Sequence, residues 1–587
     1  MVGEWHALNP DRPDPSGLAH AVMMIQQMSD SEQAVEMLRK QHRLAGSVDE
    51  WLPAYQSELD AVLSKRCREL FGDEYNEQVK KKGLVKLRMN PEPKKNGRKK
   101  MRLLVKGFME HLQENTHTDS PTTLASTVKS LVAMGLIDGE AVDTDVISIG
   151  DISTAFLFAS EYGPDDMPRF VGYKAHKHAK MRVFQLLGPL YGQADAPYRW
   201  WETLSEWLVS EGFKQSDNDK CAYYHPNPAE WYGDTVTLPT DPNLVKPSTS
   251  STLKIACHVD DIITRGHIEY TKLFWKKVEH RFSLKGWDVV DFDSPGVYTG
   301  MHIQKYRKDG KVWYSIDQSA GIRDFLEEYD MWSAMPVTAP MPNKHELYSD
   351  LTPLSEQEHK LYRTLVGTLT WYTVTRYDIA YEVNRLAQKL SAPTKGAMKC
   401  VRRVMAYLKY TWTKSLNACR VYGDIWSMFS DSDHAGDSLS GDMRSTTGVM
   451  ILLNGMPVHW RSIKQPKTST SSACAEIYAL YEACKDGRLR LHVHRDIGRE
   501  VVLPMKIQVD NAAGISFQKS TCASSKLRGI FDMADKWIHE LKNEKNVEAV
   551  KVDTTKNLAD MFTKCLSYPV RKALEDIIQK TAEEIAK

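Results

Sequence analysis

The stretch that most constrains this chain is Lys254-Ile-Ala-Cys-His-Val-Asp-Asp-Ile-Ile-Thr264, an apolar, strand-like run interrupted by two adjacent carboxylates, Asp260 and Asp261. The flanking Ile255, Val259, Ile262 and Ile263 favour extended backbone, whereas aspartate is depleted from strands. An ionised carboxylate is costly to desolvate unless it is paired or binds a metal. Two readings meet that demand: a hairpin that presents carboxylate oxygens to Mg²⁺, or a tight surface turn between two strands. The segment alone leaves both open.

At 587 residues the chain exceeds a single core, which predicts about three or four domains. Its 42% hydrophobic and 26% charged residues are those of globular protein, so extended disorder is not expected. With a net charge of +1, any surface for nucleic acid has to be a local patch. The nine cysteines are scattered and contain no C-x-x-C pair, which favours reduced thiols over structural zinc. His434, His459, His492 and His494 lack Cys or carboxylate partners at ligand spacing, so zinc is not expected there either. No apolar run approaches the roughly 18 residues of a membrane span, and Met1-Val-Gly-Glu-Trp5 is no signal peptide. The chain reads as intracellular, cytoplasmic or nuclear, without a membrane partner.

Periodicity predicts helices over 19–44 and 49–70, the second burying Trp51, Leu52, Tyr55, Leu59 and Val62 on one face. A basic run follows (Lys80, Lys81, Lys82, Lys86, Arg88, Lys94, Lys95, Arg98, Lys99, Lys100, Arg102) and leads into the strand-like Arg102-Leu-Leu-Val105. Residues 226–251 read as a long surface loop rich in Pro, Ser and Thr, and 335–360 as a linker-like crossing. Helical patterns then cover 362–373, 379–390 and 394–408, a second mixed region spans 423–566, and an amphipathic helix follows Ser567.

Upstream of the acidic pair, Gly150-Asp-Ile-Ser-Thr-Ala-Phe-Leu157 places Asp151 at the tip of a predicted strand. Alone it reads as a cap or turn residue. With Asp260 and Asp261 it supplies a third carboxylate, enough to bridge two Mg²⁺ ions about 3.5–4 Å apart. Magnesium takes hard oxygen ligands and keeps positions for water and substrate phosphates.

The ordered motifs resemble the reverse transcriptases of copia-type LTR retrotransposons. Trp51 to Leu59 resembles the family's W-x-x-A-x-x-x-E-L, and Lys100-Met-Arg-Leu-Leu-Val-Lys-Gly-Phe108 its K-A-R-L-V-A-K-G-F. Asp151 to Leu157 resembles D-V-K-T-A-F-L, and Leu190-Tyr-Gly-Gln-Ala-Asp-Ala-Pro-Tyr-Arg-Trp200 resembles L-Y-G-L-K-Q-A-P-R-x-W. His258-Val-Asp-Asp261 stands where the family has Y-V-D-D; Tyr362 to Gly367 and Thr375 to Ala380 resemble Y-R-x-L-V-G and T-R-P-D-I-A. The resemblance implies that Asp151 and Asp260 are direct metal ligands, with Asp261 shaping the field beside them. It implies that Lys100 and Arg102 grip the incoming triphosphate. Phe156 would lie under the sugar, although its residue type also suits plain core packing. Gly192 would let backbone approach template or nucleotide closely.

Three departures stand out. His258 replaces the tyrosine that lies against the primer end, Gln193-Ala-Asp195 replaces Leu-Lys-Gln and so exchanges a positive charge for a negative one, and the loop before the hairpin is long. None touches a metal ligand, so altered or weakened activity is the expectation.

A second constellation lies in Phe429-Ser-Asp-Ser-Asp-His-Ala-Gly-Asp437, Thr470 to Leu480, Ile507-Gln-Val-Asp-Asn511 and Asn557-Leu-Ala-Asp-Met-Phe-Thr-Lys564. Asp431, Glu476, Asp510 and Asp560, on strand, helix, strand and short helix, form a second candidate two-metal site. Each alone has an ordinary explanation; a glutamate near a helix start, for example, suits the helix dipole. Together with Arg444-Ser-Thr-Thr-Gly448 they resemble the RNase H domain that follows reverse transcriptase in the same family, with Asp433 as the alternative to Asp431. The family's basic R-T-K-H-I-D becomes Leu527-Arg-Gly-Ile-Phe-Asp532, where Arg528 alone keeps a positive charge.

The resemblance therefore implies an α+β right-hand polymerase with fingers, palm and thumb, a connection segment and a C-terminal RNase H-like domain. The expected divisions are an unassigned segment 1–48, fingers and palm 49–290, thumb and connection 291–425, RNase H-like domain 426–567 and a terminal helix 568–587. Expected partners are an RNA template, a DNA or RNA primer, an RNA–DNA hybrid and dNTPs, with Mg²⁺ as cofactor. The rival is a decayed or co-opted copy that binds nucleic acid without catalysis. The sequence does not give the oligomeric state.

Overall fold

The computed structural model describes residues 15–80, 84–93, 97–110, 116–137, 140–233, 252–436, 441–519, 533–544 and 546–587. Lys81, Lys82, Lys94, Lys95, most of the 226–251 loop and the Leu527–Asp532 departure lie outside these. The fold is α+β, and the chain divides into two compact units, 1–121 with 154–208, and 122–153 with 209–587.

In the first unit, strands β1 (Cys67–Glu69), β2 (Val85–Pro93), β3 (Lys99–Val105), β5 (Phe170–Tyr173) and β6 (Arg182–Leu186) form one sheet in the order β1-β6-β5-β2-β3. β2 and β3 are an antiparallel hairpin whose inward side chains, Leu87, Met89, Met101, Leu103 and Val105, alternate with outward ones that are polar except for Leu104, as period 2 requires. The Val48–Arg66 helix covers the inward face with Trp51, Tyr55 and Val62. A capping box formed by Ser47 and Glu50 satisfies its first amides. The helix stops at Arg66, short of the predicted 49–70, because Cys67 turns extended and Cys67–Glu69 pair with β6.

The second unit holds three sheets. The first runs β11 (Leu284–Val289), β4 (Asp145–Ile152), β10 (Asp261–His267), β9 (Leu253–His258), β8 (Ala222–His225), β7 (Lys214–Gln215). The second runs β12 (Gly296–Tyr298), β13 (Met301–Lys308), β14 (Lys311–Asp317), β15 (Leu416–Cys419). The third runs β18 (Met456–Lys464), β17 (Thr446–Leu453), β16 (Trp426–Asp433), β19 (Met505–Val509), β20 (Val547–Lys551). In the third sheet β16, β17 and β18 are antiparallel, while β19 and β20 run parallel to β16. β17 is buried at every position, and its Val449–Leu453 half reads as an unbroken apolar run instead of an alternating one. One hydrophobic core reaches all three sheets, through Ile147, Ile263, Ile303, Val449 and Leu480 among others. A separate helical core packs Phe325, Leu365, Leu369, Val401 and Met405. No helix among the described residues is long and apolar enough to cross a membrane.

Candidate active site

The acidic run is a hairpin. β9 ends at His258, β10 begins at Asp261, and Val259 turns the chain with φ +57°. Asp261 lies opposite His258 on one side and opposite Asp151 of β4 on the other. Directly opposed residues of antiparallel strands share a face, so the register itself sets Asp151 beside Asp261. Two buried hydrogen bonds sew that register. Ser148 and Thr264 hydroxyls meet at 2.6 Å, and the Trp275 indole donates to Ser148 Oγ at 2.7 Å. Gly150 leaves room for that indole, since a Cβ there would lie 2.5 Å from Trp275. Asp260 completes the turn by accepting from the Ile152 amide at 2.9 Å.

Burial raises the Asp261 carboxyl to about 6, helped by the charges of Asp260 and Asp151 and opposed by the Thr299 amide and Lys285. Lys285, on β11, forms an ion pair with Asp151. Nothing in the sequence pointed to this lysine, because Leu284-Lys-Gly286 carries no motif spacing of its own.

Lys100, Arg102, Phe156 and Gly192 belong to the first unit. There the Arg102 guanidinium stands 5.2 Å from the Tyr191 ring and its Nε 3.4 Å from Glu92. Phe156 packs edge-on against the same tyrosine at 4.9 Å. The Val105 amide donates to Tyr191 O at 2.7 Å, fixing this turn against β3. Gly192 has φ +92°, and a Cβ there would meet Val105 O at 2.3 Å, so the turn's closeness to β3 requires glycine. Lys100 lies on β3 opposite Glu92.

The Gln193-Ala-Asp195 departure is compensated inside this unit. Asp195 is 1% exposed and accepts from Arg169 through two bonds of 2.8 Å and from Arg199 at 3.1 Å. Both guanidiniums also stack on Tyr162. The added negative charge is therefore internal and neutralised.

At the second constellation, ligand oxygens of Asp431, Asp510 and Asp560 lie within 4.8 Å of one another, and among the described residues no other such metal-holding group occurs. Asp431 is on β16; Asp510 follows β19, whose Val509 neighbours Ser430 in the parallel pair. Asp560 comes from the 3-10 turn Leu558–Phe562, tied to β16 by Asn557 donating to Ser430 O at 3.1 Å. That turn packs on β17 only because residue 448 is glycine; a Cβ there would sit 2.5 Å from Ala559 O.

Glu476 lies in the first turns of the Ser472–Asp496 helix. Burial raises it to about 9, with Asp431 and Asp510 adding repulsion. Burial and Asp431 raise Asp560 to about 7. Lys564 counters both, with Nζ 2.9 Å from Asp560 and 3.4 Å from Asp431, and Thr563 Oγ1 donates to Asp431. Both residues stood in the sequence motif without a role. Asp433 is half-buried and outside the converging set. So many oxygen donors with so little compensating positive charge fit a hard divalent cation such as Mg²⁺.

The histidines have other partners. His459 lies 3.2 Å from Asp486, His494 2.7 Å from Asp424, and His492 accepts from Arg488 at 3.1 Å. His434 lies 3.2 Å from the Ser469 carbonyl.

Residues 77–229 match the family model described as reverse transcriptase (RNA-dependent DNA polymerase). The chain is 25% identical over 482 residues to the retrovirus-related Pol polyprotein from transposon TNT 1-94 of Nicotiana tabacum, covering 80% of this chain and 33% of that protein. It is 28% identical over 498 residues to the Pol polyprotein from transposon RE1 of Arabidopsis thaliana, covering 82% of this chain and 30% of that protein. The chain thus spans about a third of the length of the curated relatives it matches. Among solved structures, a foamy viral protease-reverse transcriptase in complex with double-stranded DNA is similar with a TM-score of 0.45 at 11% identity, over 86% of this chain and 70% of that one.

Proposed function

We propose that this chain, a relative of the copia-type transposon Pol polyproteins with a reverse transcriptase domain, copies an RNA template into DNA at one carboxylate centre and cleaves the RNA of an RNA–DNA hybrid at the other. The observation that carries the reading is the register that opposes Asp261 to Asp151 with Asp260 at the adjoining turn. Asp151 and Asp260 would hold Mg²⁺, which supplies charge neutralisation for phosphoryl transfer. Asp261 adds negative potential beside them, and His258 stands where the primer end would lie. Lys100 and Arg102 would take the phosphates of a dNTP, Arg102 through its fork and Lys100 as a point charge. Phe156 would close the floor under the sugar, held at its angle by Tyr191. Gly192 acts by seating the Tyr191 turn on β3.

At the second centre Asp431, Glu476, Asp510 and Asp560 would hold Mg²⁺ for hydrolysis of the RNA strand. Thr563 and Lys564 orient the Asp431 and Asp560 carboxylates. Hybrid and primer–template would be held through backbone and shape more than base edges.

The test is primer extension on an RNA template with Mg²⁺. Extension by the native chain should fall by about 10³-fold or more in D260N, the scale of losing a metal's charge stabilisation. Extension that D260N leaves intact would overturn the polymerase assignment. Binding of hybrid that weakens steeply with salt, with neither activity present, would instead favour a nucleic-acid-binding role.

A further inference from the structure

The Ala125–Ala133 helix carries a single charged residue, Lys129, and every position from Ser126 to Ala133 is buried. A helix buried all round is normally apolar all round, so this lysine is out of keeping with its segment. It is 4% exposed and makes no ion pair among the described residues. Its Nζ donates to Val374 O at 3.0 Å and stands 3.6 Å from the centre of the Trp460 ring. Carbonyl and ring take up part of the charge, but neither neutralises it. Burial, with the Arg490 charge second, pushes the amine well below the ordinary lysine value.

Lys129 lines a cavity of about 430 Å³ in the second unit, within the about 300–1,000 Å³ of small-molecule sites. Arg461 of β18 and Arg490 of the Ser472–Asp496 helix line it too, and no carboxylate does. The carboxylates that serve these arginines are shared. Asp486 lies 3.1 Å from Arg461 and 3.3 Å from Arg490, while Glu482 lies 3.3 Å from Arg461 and 3.2 Å from Lys485. Burial holds His459 down at about 4, so its neutral ring adds no charge and its Nδ1 accepts from Arg490 at 3.0 Å. Arg490 Nε is buried without a hydrogen-bond partner. Four cations thus stand against two carboxylates, and Lys129, on the cavity wall, has neither.

Other donors in the lining are largely spent. The hydroxyls of Thr370, Thr373 and Ser462 donate to Val366 O, Thr370 O and Phe562 O at 2.8, 2.7 and 2.7 Å, and the Trp460 indole donates to Thr373 O at 3.0 Å. An ammonium has three N–H bonds, and Lys129 uses one of them on Val374. Leu124, Val383, Ala387 and Ile463 add apolar surface to the same cavity.

We propose that this cavity binds a small organic anion, a carboxylate or phosphate on an apolar body, with its charged group at Lys129 and Arg490. The anion supplies the counter-charge that Lys129 lacks, and the body lies against Val383, Ala387 and Ile463. The lining shares no residue with either carboxylate centre, so the proposal does not rest on either reaction.

The test is isothermal titration calorimetry on the full chain with phenyl phosphate, benzoate and, as a neutral counterpart, benzyl alcohol. At least one anion should bind at one site per chain, its head group naming the class, and benzyl alcohol should not bind. K129M keeps the length of the side chain and removes its charge. It should weaken the anion roughly tenfold or more, the scale of a hydrogen bond to a charged group. A387F narrows the apolar part and leaves Lys129 in place, so it should weaken binding even if K129M fails to fold. K580M, on the exposed C-terminal helix, should bind as the native chain does. Binding of neither anion overturns the proposal, as does equal binding by the native chain, K129M and A387F, or benzyl alcohol binding as tightly as the anions. Displacement of the bound anion by an RNA–DNA hybrid also overturns it, and would give the cationic wall to a nucleic-acid backbone. Calorimetry needs no catalysis, so a chain that binds the anion yet extends no primer would sink the polymerase reading and leave this one standing.

Discussion

At the hairpin centre the three carboxylates come from two paired strands and the turn that leads into one of them, and Lys285 already balances Asp151. At the C-terminal centre four carboxylates come from a strand, a helix, a strand end and a 3-10 turn, far apart in sequence. The first stays partly open, and Asp261 is raised only to about 6. The second packs three ligand oxygens within 4.8 Å and drives Glu476 to about 9. The difference shows how packing sets the cost of gathering like charges. A hairpin at a sheet end leaves its carboxylates near solvent, whereas a site flanked by a helix and a turn buries Asp431 and Glu476 more deeply and depends more on a cation.

If both centres rest on one scaffold, disrupting that scaffold should affect them together. The Arg376–Asp378 pair is almost wholly buried, with bonds of 2.9 and 2.8 Å, and Tyr407 and Lys414 converge on the same carboxylate. R376A should cost about 3–5 kcal/mol, because it leaves Asp378 without its bidentate partner. Thermal inactivation curves for synthesis and hybrid cleavage should shift down together; a shift in one alone breaks the shared-scaffold view.

The next effect distinguishes the centres directly. The C-terminal oxygens converge without nucleic acid, so Mg²⁺ at 100 times its Kd should stabilise the free protein by about 2.7 kcal/mol. D510N should remove that gain in a thermal melt, while D260N should keep it. The reverse pattern would mean that the hairpin is the preformed metal site.

A smaller effect separates burial from crowding. Glu382 lies outside both centres, and burial raises it from 4.5 to about 8 despite its own amide and Arg571. Its folded pKa exceeds the unfolded one, so its contribution is fully present below about 4.5 and is lost as pH rises towards 8. E382Q should flatten the fall in Tm between pH 5 and 8, equally with and without Mg²⁺. A flattening seen only without Mg²⁺ would tie Glu382 to a metal centre.

The smallest expected change is at Lys285, whose side chain is 61% exposed. K285A should alter stability by less than about 1 kcal/mol, as exposed pairs do. A larger loss in denaturant unfolding would show that the hairpin centre needs this charge to fold.

Much of this was legible in the residues. Apolar alternation around Asp260 and Asp261, and the later strand-helix-strand run, placed Asp151, Asp431, Glu476, Asp510 and Asp560 on the elements where they lie. The Asp261–Asp151 pairing was not legible, since register depends on Ser148, Thr264 and Trp275 meeting across strands distant in sequence. Nor was the Asp195 network: Arg169 lies outside its motif, and only folding brings it within 2.8 Å. The lysines that balance the two centres escaped for the same reason. A lone lysine becomes informative only when its counter-charge is known.

The central claim is that two separate carboxylate centres perform two reactions. It is tested most directly on one RNA–DNA primer–template, with DNA extension and RNA cleavage read in the same tube for the native chain, D260N and E476Q. The account predicts a crossover: D260N abolishes extension and keeps cleavage, and E476Q abolishes cleavage and keeps extension. A variant that lost both activities while its melting curve stayed native would contradict it.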